Sequence, residues 1–120
     1  MTRPPGYHTV TPRMVVADPA SAVEFLRTVF DAEGTLDGDR PAEMRIGDSL
    51  ILVSGSGVRE AFPALLYVYV DDVALRFERA MAAGAECMEE PAETPYGDRR
   101  AMVRDRFGNI FQIAAAPDRS

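Results

Sequence analysis

The chain has 120 residues, 47% hydrophobic and 27% charged, a composition able to bury one ordinary globular core. Nineteen acidic against 13 basic residues give a net charge of −6, which argues against binding a phosphate backbone, because that requires a clustered basic surface. A single cysteine, Cys87, excludes an intramolecular disulfide and a multi-cysteine metal site, and its neighbours Glu86, Glu89 and Glu90 would not stabilise a thiolate.

Residues 1–8 read as a lead-in broken by Pro4, Pro5 and Gly6. They carry no apolar core of a secretory leader, and no later apolar run approaches the length of a membrane span, so a cytoplasmic protein with no membrane partner is expected. Thr9 to Ala17 reads as a strand, with Val10, Met14 and Val16 on one face and Thr11, Arg13 and Val15 on the other. Asp18 followed by Pro19 is a helix start: the carboxylate can accept from the free N–H groups of the first turn, where the missing N–H of proline costs nothing. Val23, Leu26, Val29 and Phe30 continue at helical spacing, and the helix should stop before Gly34.

From Gly34 to Gly55 the pattern predicts three strands. A short one contains Leu36 and ends near Gly38, a second alternates Met44 and Ile46 with Glu43 and Arg45, and Gly47-Asp48 turns into a continuous apolar run, Leu50 to Val53. Ser54 to Pro63 reads as a linker. The order then repeats, with a strand over Leu65 to Val70, an N-cap at Asp71 or Asp72 and a helix face of Val73, Phe77, Ala80 and Met81 ending at Gly84. A short strand over Glu86 to Glu90 and a connection from Pro91 to Pro95 follow. Arg99 to Arg104 and Asn109 to Ala114 form a closing hairpin around Asp105 to Asn109, where Gly108 is suited to a positive φ.

Asp72 lies 54 residues after Asp18, so the chain reads as one domain, 1–120, built from two βαβββ modules at about 9–55 and 64–115. The apolar strand faces ask for helices on one side, giving an α+β fold in which a cupped mixed sheet carries its helices on the convex face. Parity leaves Arg13, Glu43, Arg45, Tyr67, Tyr69, Arg100, Met102, Arg104 and Gln112 free to face the concave side. Tyrosines can stack on a planar ligand and arginines can grip an oxyanion, the profile of a binding pocket. The alternatives are that the charged residues pair across neighbouring strands and that Tyr67 and Tyr69 fill core space. Tyr96 to Arg99 would shape the pocket mouth or form a turn capped by Asp98. No nucleophile arrangement or phosphate loop is present, and Glu43 as a base beside Tyr67 or Arg100 rests on parity alone, so no catalytic residue is named.

The blocks TVTPRMVVAD, PAEMRIGDSLILVSG, LLYVYVDDV and YGDRRAMVRDRFGNIFQIA, in that order, resemble the vicinal oxygen chelate superfamily of glyoxalases, bleomycin resistance proteins and extradiol dioxygenases, most closely its PhnB-like branch. The resemblance spans about residues 9 to 115. It implies the glyoxalase/bleomycin resistance fold, usually a homodimer, and a divalent metal held by His, Gln or Glu from the first and last strands of each module. Those positions fall here on Thr11, Leu52, Leu65 and Gln112, two aliphatic side chains, a threonine and a neutral amide, which is not a metal donor set. His8 lies an odd number of residues before Thr11 and has no second histidine to join it. The expectation is therefore a metal-free, cofactor-free protein that holds a small molecule in its cup, with Thr11 added to the parity set. The alternative is a metal-dependent lyase, isomerase or dioxygenase of the same superfamily.

Overall fold

A computed structural model describes residues 3–57 and 60–117. The chain divides at Phe62–Pro63 into two compact units. The expected linker spans that junction, and its residues 58 and 59 lie outside the described residues.

In the first unit the order is β1 (Arg13–Val16), α1 (Pro19–Phe30), β2 (Ala42–Ile46) and β3 (Ser49–Gly55). Strand β3 is central, parallel to β1 and antiparallel to β2, so the sheet is mixed. The first strand begins later than its alternation predicts, and Val10 is 78% exposed instead of covered by a helix. Pro12 is the reason: it has no N–H to give a ladder, and pairing begins with its carbonyl, which accepts from Leu52 N at 2.9 Å. Helix α1 starts as its sequence dictates, Asp18 accepting from Ser21 N at 3.3 Å and from Ser21 Oγ at 2.7 Å. It buries Ala22, Val23, Leu26, Val29 and Phe30 and packs on all three strands. Asp31, in the left-handed region at φ 54°, ends it.

The short strand expected around Leu36 reduces to two isolated bridges, Glu33 to Arg45 and Asp37 to Arg40. Gly34 is why the chain cannot run straight there: at φ +143°, a Cβ would stand 2.2 Å from the Glu43 carbonyl oxygen and 2.8 Å from Met44 Sδ. Only glycine lets the two backbones approach this closely.

The second unit runs β4 (Leu65–Tyr69), α2 (Val73–Ala82), β5 (Glu86–Glu93), β6 (Arg99–Arg104) and β7 (Ile110–Ala115), in the sheet order β4-β7-β6-β5. Helix α2 is capped by Asp72, which accepts from Leu75 N at 3.1 Å, and packs on β5, β6 and β7. Its face is thinner than that of α1: Val73 and Ala80 are buried, Phe77 and Met81 only partly. Beneath it lie Ala101, Val103, Phe111 and Ile113, all fully buried. Strand β5 outruns its predicted end, passing through Pro91 to Glu93 with two register irregularities against β6. It is an edge strand of the sheet and pairs with β6 alone, so a proline without a donor is tolerated there.

The turn between β6 and β7 is a side-chain construction. Asp105 Oδ1 accepts from Phe107 N at 2.9 Å and Asn109 N at 2.8 Å, while Asn109 Nδ2 donates to Asp105 Oδ2 at 3.0 Å. Gly108 takes φ +88°. Asn109 Oδ1 also accepts from Ala64 N at 2.8 Å, which fixes the start of β4 against the hairpin. Both side chains are buried, and these bonds offset the cost of taking them out of water.

Candidate functional site

Cross-strand partners in a sheet share a face, so the registers decide which side chains stand together. In the first unit Arg13, Leu52 and Glu43 form one row, Arg45 pairs with Leu50, and Val15 with Ser54. The alternate rows, Met14-Val53-Ala42 and Ile51-Met44, are buried. Arg13, Glu43 and Arg45 thus share one face as parity predicts, while Thr11 stays half-buried in the loop before the ladder. Glu43 accepts a short hydrogen bond from Tyr7 Oη, and that bond, more than burial, raises the phenol's pKa above its ordinary value. His8 is exposed and donates through Nε2 to the Asp48 carbonyl at 3.0 Å.

In the second unit the rows are Leu65-Ile110-Arg104-Glu86, Tyr67-Gln112-Met102-Glu89 and Tyr69-Ala114-Arg100-Ala92. They occupy the face opposite the buried Phe111, Ile113, Ala101 and Val103, and so opposite α2. Tyr67, Tyr69, Arg100, Met102 and Gln112 are brought together there. Arg104 is taken up by Glu86, with Nε to Oε1 at 3.1 Å and Nη2 to Oε2 at 2.9 Å, a cross-strand fork.

The centre of this face is Asp98, which the sequence offers as part of a pocket mouth or as a turn residue, not as the acceptor for two tyrosines. It is 6% exposed, and its Oδ2 accepts from Tyr67 Oη at 2.7 Å and Tyr69 Oη at 3.0 Å. Arg100 Nη1 donates to Tyr96 Oη at 2.8 Å, and Arg100 Nη2 to Glu89 Oε1 at 3.2 Å. Since the one Tyr67 proton is given to Asp98, the 3.2 Å contact between Tyr96 and Tyr67 is donated by Tyr96. A directed chain therefore runs from guanidinium through two phenols to a carboxylate. Burial, then the bonds to Tyr96 and Asp98, push the Tyr67 pKa well above its ordinary value; for Tyr69 the bond to Asp98 leads. Burial works against the charge on Arg100, but the bond to Glu89 and nearby groups outweigh it and its pKa is raised. Arg100 Nε is buried with no acceptor, the one such side-chain atom among the described residues.

With their hydroxyls tied, the rings remain open: Tyr69 is 62% exposed, Tyr96 60% and Tyr67 37%. The Tyr67 and Tyr69 centroids are 5.2 Å apart with planes at 56°, a tilted pair. These rings fill no core. No signal in the sequence named Asp98, because the tyrosines it accepts from lie about 30 positions away and become its neighbours only through strand order.

A metal does not fit the positions the resemblance assigns. Leu52 and Leu65 have no donor atom, Leu65 is 64% exposed, and Thr11 and Gln112 are neutral and half-buried. No cluster of three His, Cys, Asp or Glu side chains that could hold an ion exists among the described residues.

Two mixed sheets, each with a helix on one face and a polar or aromatic face opposite, define an α+β protein of the glyoxalase/bleomycin resistance fold. The chain belongs to the Glyoxalase/Bleomycin resistance protein/Dioxygenase superfamily, whose family model matches residues 7–113. An uncharacterized protein of Mycobacterium bovis is 30% identical over 126 aligned positions, covering 87% of this chain and 80% of its own. TioX from Micromonospora sp. ML1 superposes with a TM-score of 0.77 at 25% identity, over 90% of this chain and 98% of its own. The fosfomycin resistance protein FosX from Mesorhizobium loti superposes at 0.70 with 20% identity, over 91% and 92%.

Proposed function

We propose that the protein binds a small planar organic molecule without a metal, sequestering a drug or metabolite, with the tyrosine face of the second unit as its principal contact. The observation that carries this reading is the gathering of Tyr67, Tyr69 and Tyr96 around Asp98 and Arg100, which fixes the rings while leaving them open. A stacking surface already ordered before the ligand arrives loses little side-chain entropy on binding. The unmet Arg100 Nε marks the guanidinium as the polar group with most to gain if a ligand acceptor rearranged it. Membership of a superfamily whose description includes bleomycin resistance proteins supports a binding role. We further propose, from the resemblance of the four sequence blocks, that it belongs with the PhnB-like branch and acts as a cytoplasmic homodimer.

A thermal-shift panel of planar aromatic antibiotics tests the reading. A true ligand raises the melting temperature by mass action, by about 2.7 kcal/mol of stabilisation at a hundredfold excess over Kd. The shift should survive Tyr69→Phe, which keeps the ring, and fall sharply in Tyr69→Ala. A panel without a hit, or a hit indifferent to Tyr69→Ala, overturns the assignment to this face.

A further inference from the structure

We propose a second subsite, in the first unit, that takes the oxyanion of a small molecule on Arg13 and Arg40; it stands independently of the tyrosine face. A cavity of about 680 Å³ opens beside the carboxyl end of β3 and the start of β2, lined among others by Ser54 and Gly55 of β3, Arg13 from the first position of β1, and Asp39 and Arg40 of the loop before β2. Its size is that of a small-molecule site.

Arg13 and Arg40 are set apart by lining one concavity together while no side-chain acceptor among the described residues holds either; Arg45 and Arg99 also have no such acceptor but do not line it. Arg27 bonds the Gly34 carbonyl and faces Glu24, Arg76 faces Asp71, Arg100 holds Glu89 and Tyr96, and Arg104 holds Glu86. Arg13 and Arg40 have no side-chain acceptor among the described residues, yet both line one concavity of a chain with 19 carboxylates. Asp39 is the one carboxylate in that lining, so the guanidiniums leave it net positive. Arg40 also borders a neighbouring cavity of about 460 Å³ with Asp37 and Glu43, but Glu43 is already engaged by Tyr7. Ser54 and Arg13 lie on the same sheet face, so a hydroxyl donor joins the charges. Two guanidinium forks and a hydroxyl match a phosphate, phosphonate or carboxylate group, whereas a cation would meet repulsion.

The test is titration of the whole protein with inorganic phosphate and, separately, acetate, against chloride at equal ionic strength, read by amide chemical shifts. Saturable shifts clustered at residues 13, 40 and 54 with either oxyanion are expected. Arg13→Gln and Arg40→Gln should each weaken binding by about tenfold, and the Lys variants, which keep charge but lose the fork, by less. Arg99→Gln, an exposed site in the second unit, removes the same charge and should change affinity by no more than about twofold. Absence of saturation with both anions, or an equal loss in Arg99→Gln, overturns the proposal. Both arginines are exposed, so their replacement leaves the core intact, and the Lys variants decide the matter should a Gln variant fail to fold.

Discussion

A single carboxylate governs the chemistry of the second unit. Asp98 accepts from two tyrosines on β4, so removing it frees both rings and strips Tyr67 of the bond that, after burial and Tyr96, holds its proton. Both phenols have folded pKa values above the ordinary 10.0, so their contribution to stability is fully present below pH 10 and declines as pH rises beyond it. Thermal unfolding followed between pH 9 and 11.5 should therefore show a falling melting temperature, with a shallower slope in Tyr67→Phe. A parallel ultraviolet titration should find a tyrosine ionising at lower pH in Asp98→Asn than in the native chain. An identical slope in Tyr67→Phe would sink this account. The tyrosines and Arg100 were legible because alternation assigns a strand face from sequence alone. Asp98 was not, because its partners are set by which strands become neighbours.

At the scale of elements, what could be read were the features encoded within a few residues of themselves. Asp18 with Pro19, Asp72, the Asp105 to Asn109 turn and the apolar run of β3 each carry their own cause. What could not be read depended on neighbours: the late start of β1 beyond Pro12, the loss of a strand at Leu36, and the length of β5 through Pro91. The close approach at Gly34 is the sharpest of these. Gly34→Ala should destabilise the chain by about 2–4 kcal/mol, measured by urea unfolding, because an added methyl meets the Glu43 backbone rather than a movable side chain. Asp72→Ala, which removes only the cap of α2, should cost about 1 kcal/mol in the same assay. Equal effects from the two would mean that Gly34 is not a packing constraint.

For the molecule as a whole, the fold carries the family and the side chains carry the departure from it. Leucines stand at two of the positions where the resemblance asks for metal ligands, and no group of three His, Cys, Asp or Glu side chains able to hold an ion compensates among the described residues. Protein purified and then offered nickel, zinc or iron should retain far less than one equivalent after desalting, and a chelator should leave its melting temperature unchanged. A tightly held stoichiometric ion would reverse that view. One border of the sheet in the second unit is β5. Glu86, Glu89, Glu90 and Glu93 crowd β5, Pro91 withholds one donor, and two irregularities spoil its register. An incoming chain seeking to extend the ladder at this border would meet acidic side chains and a broken template, features that disfavour ribbon-like association along it.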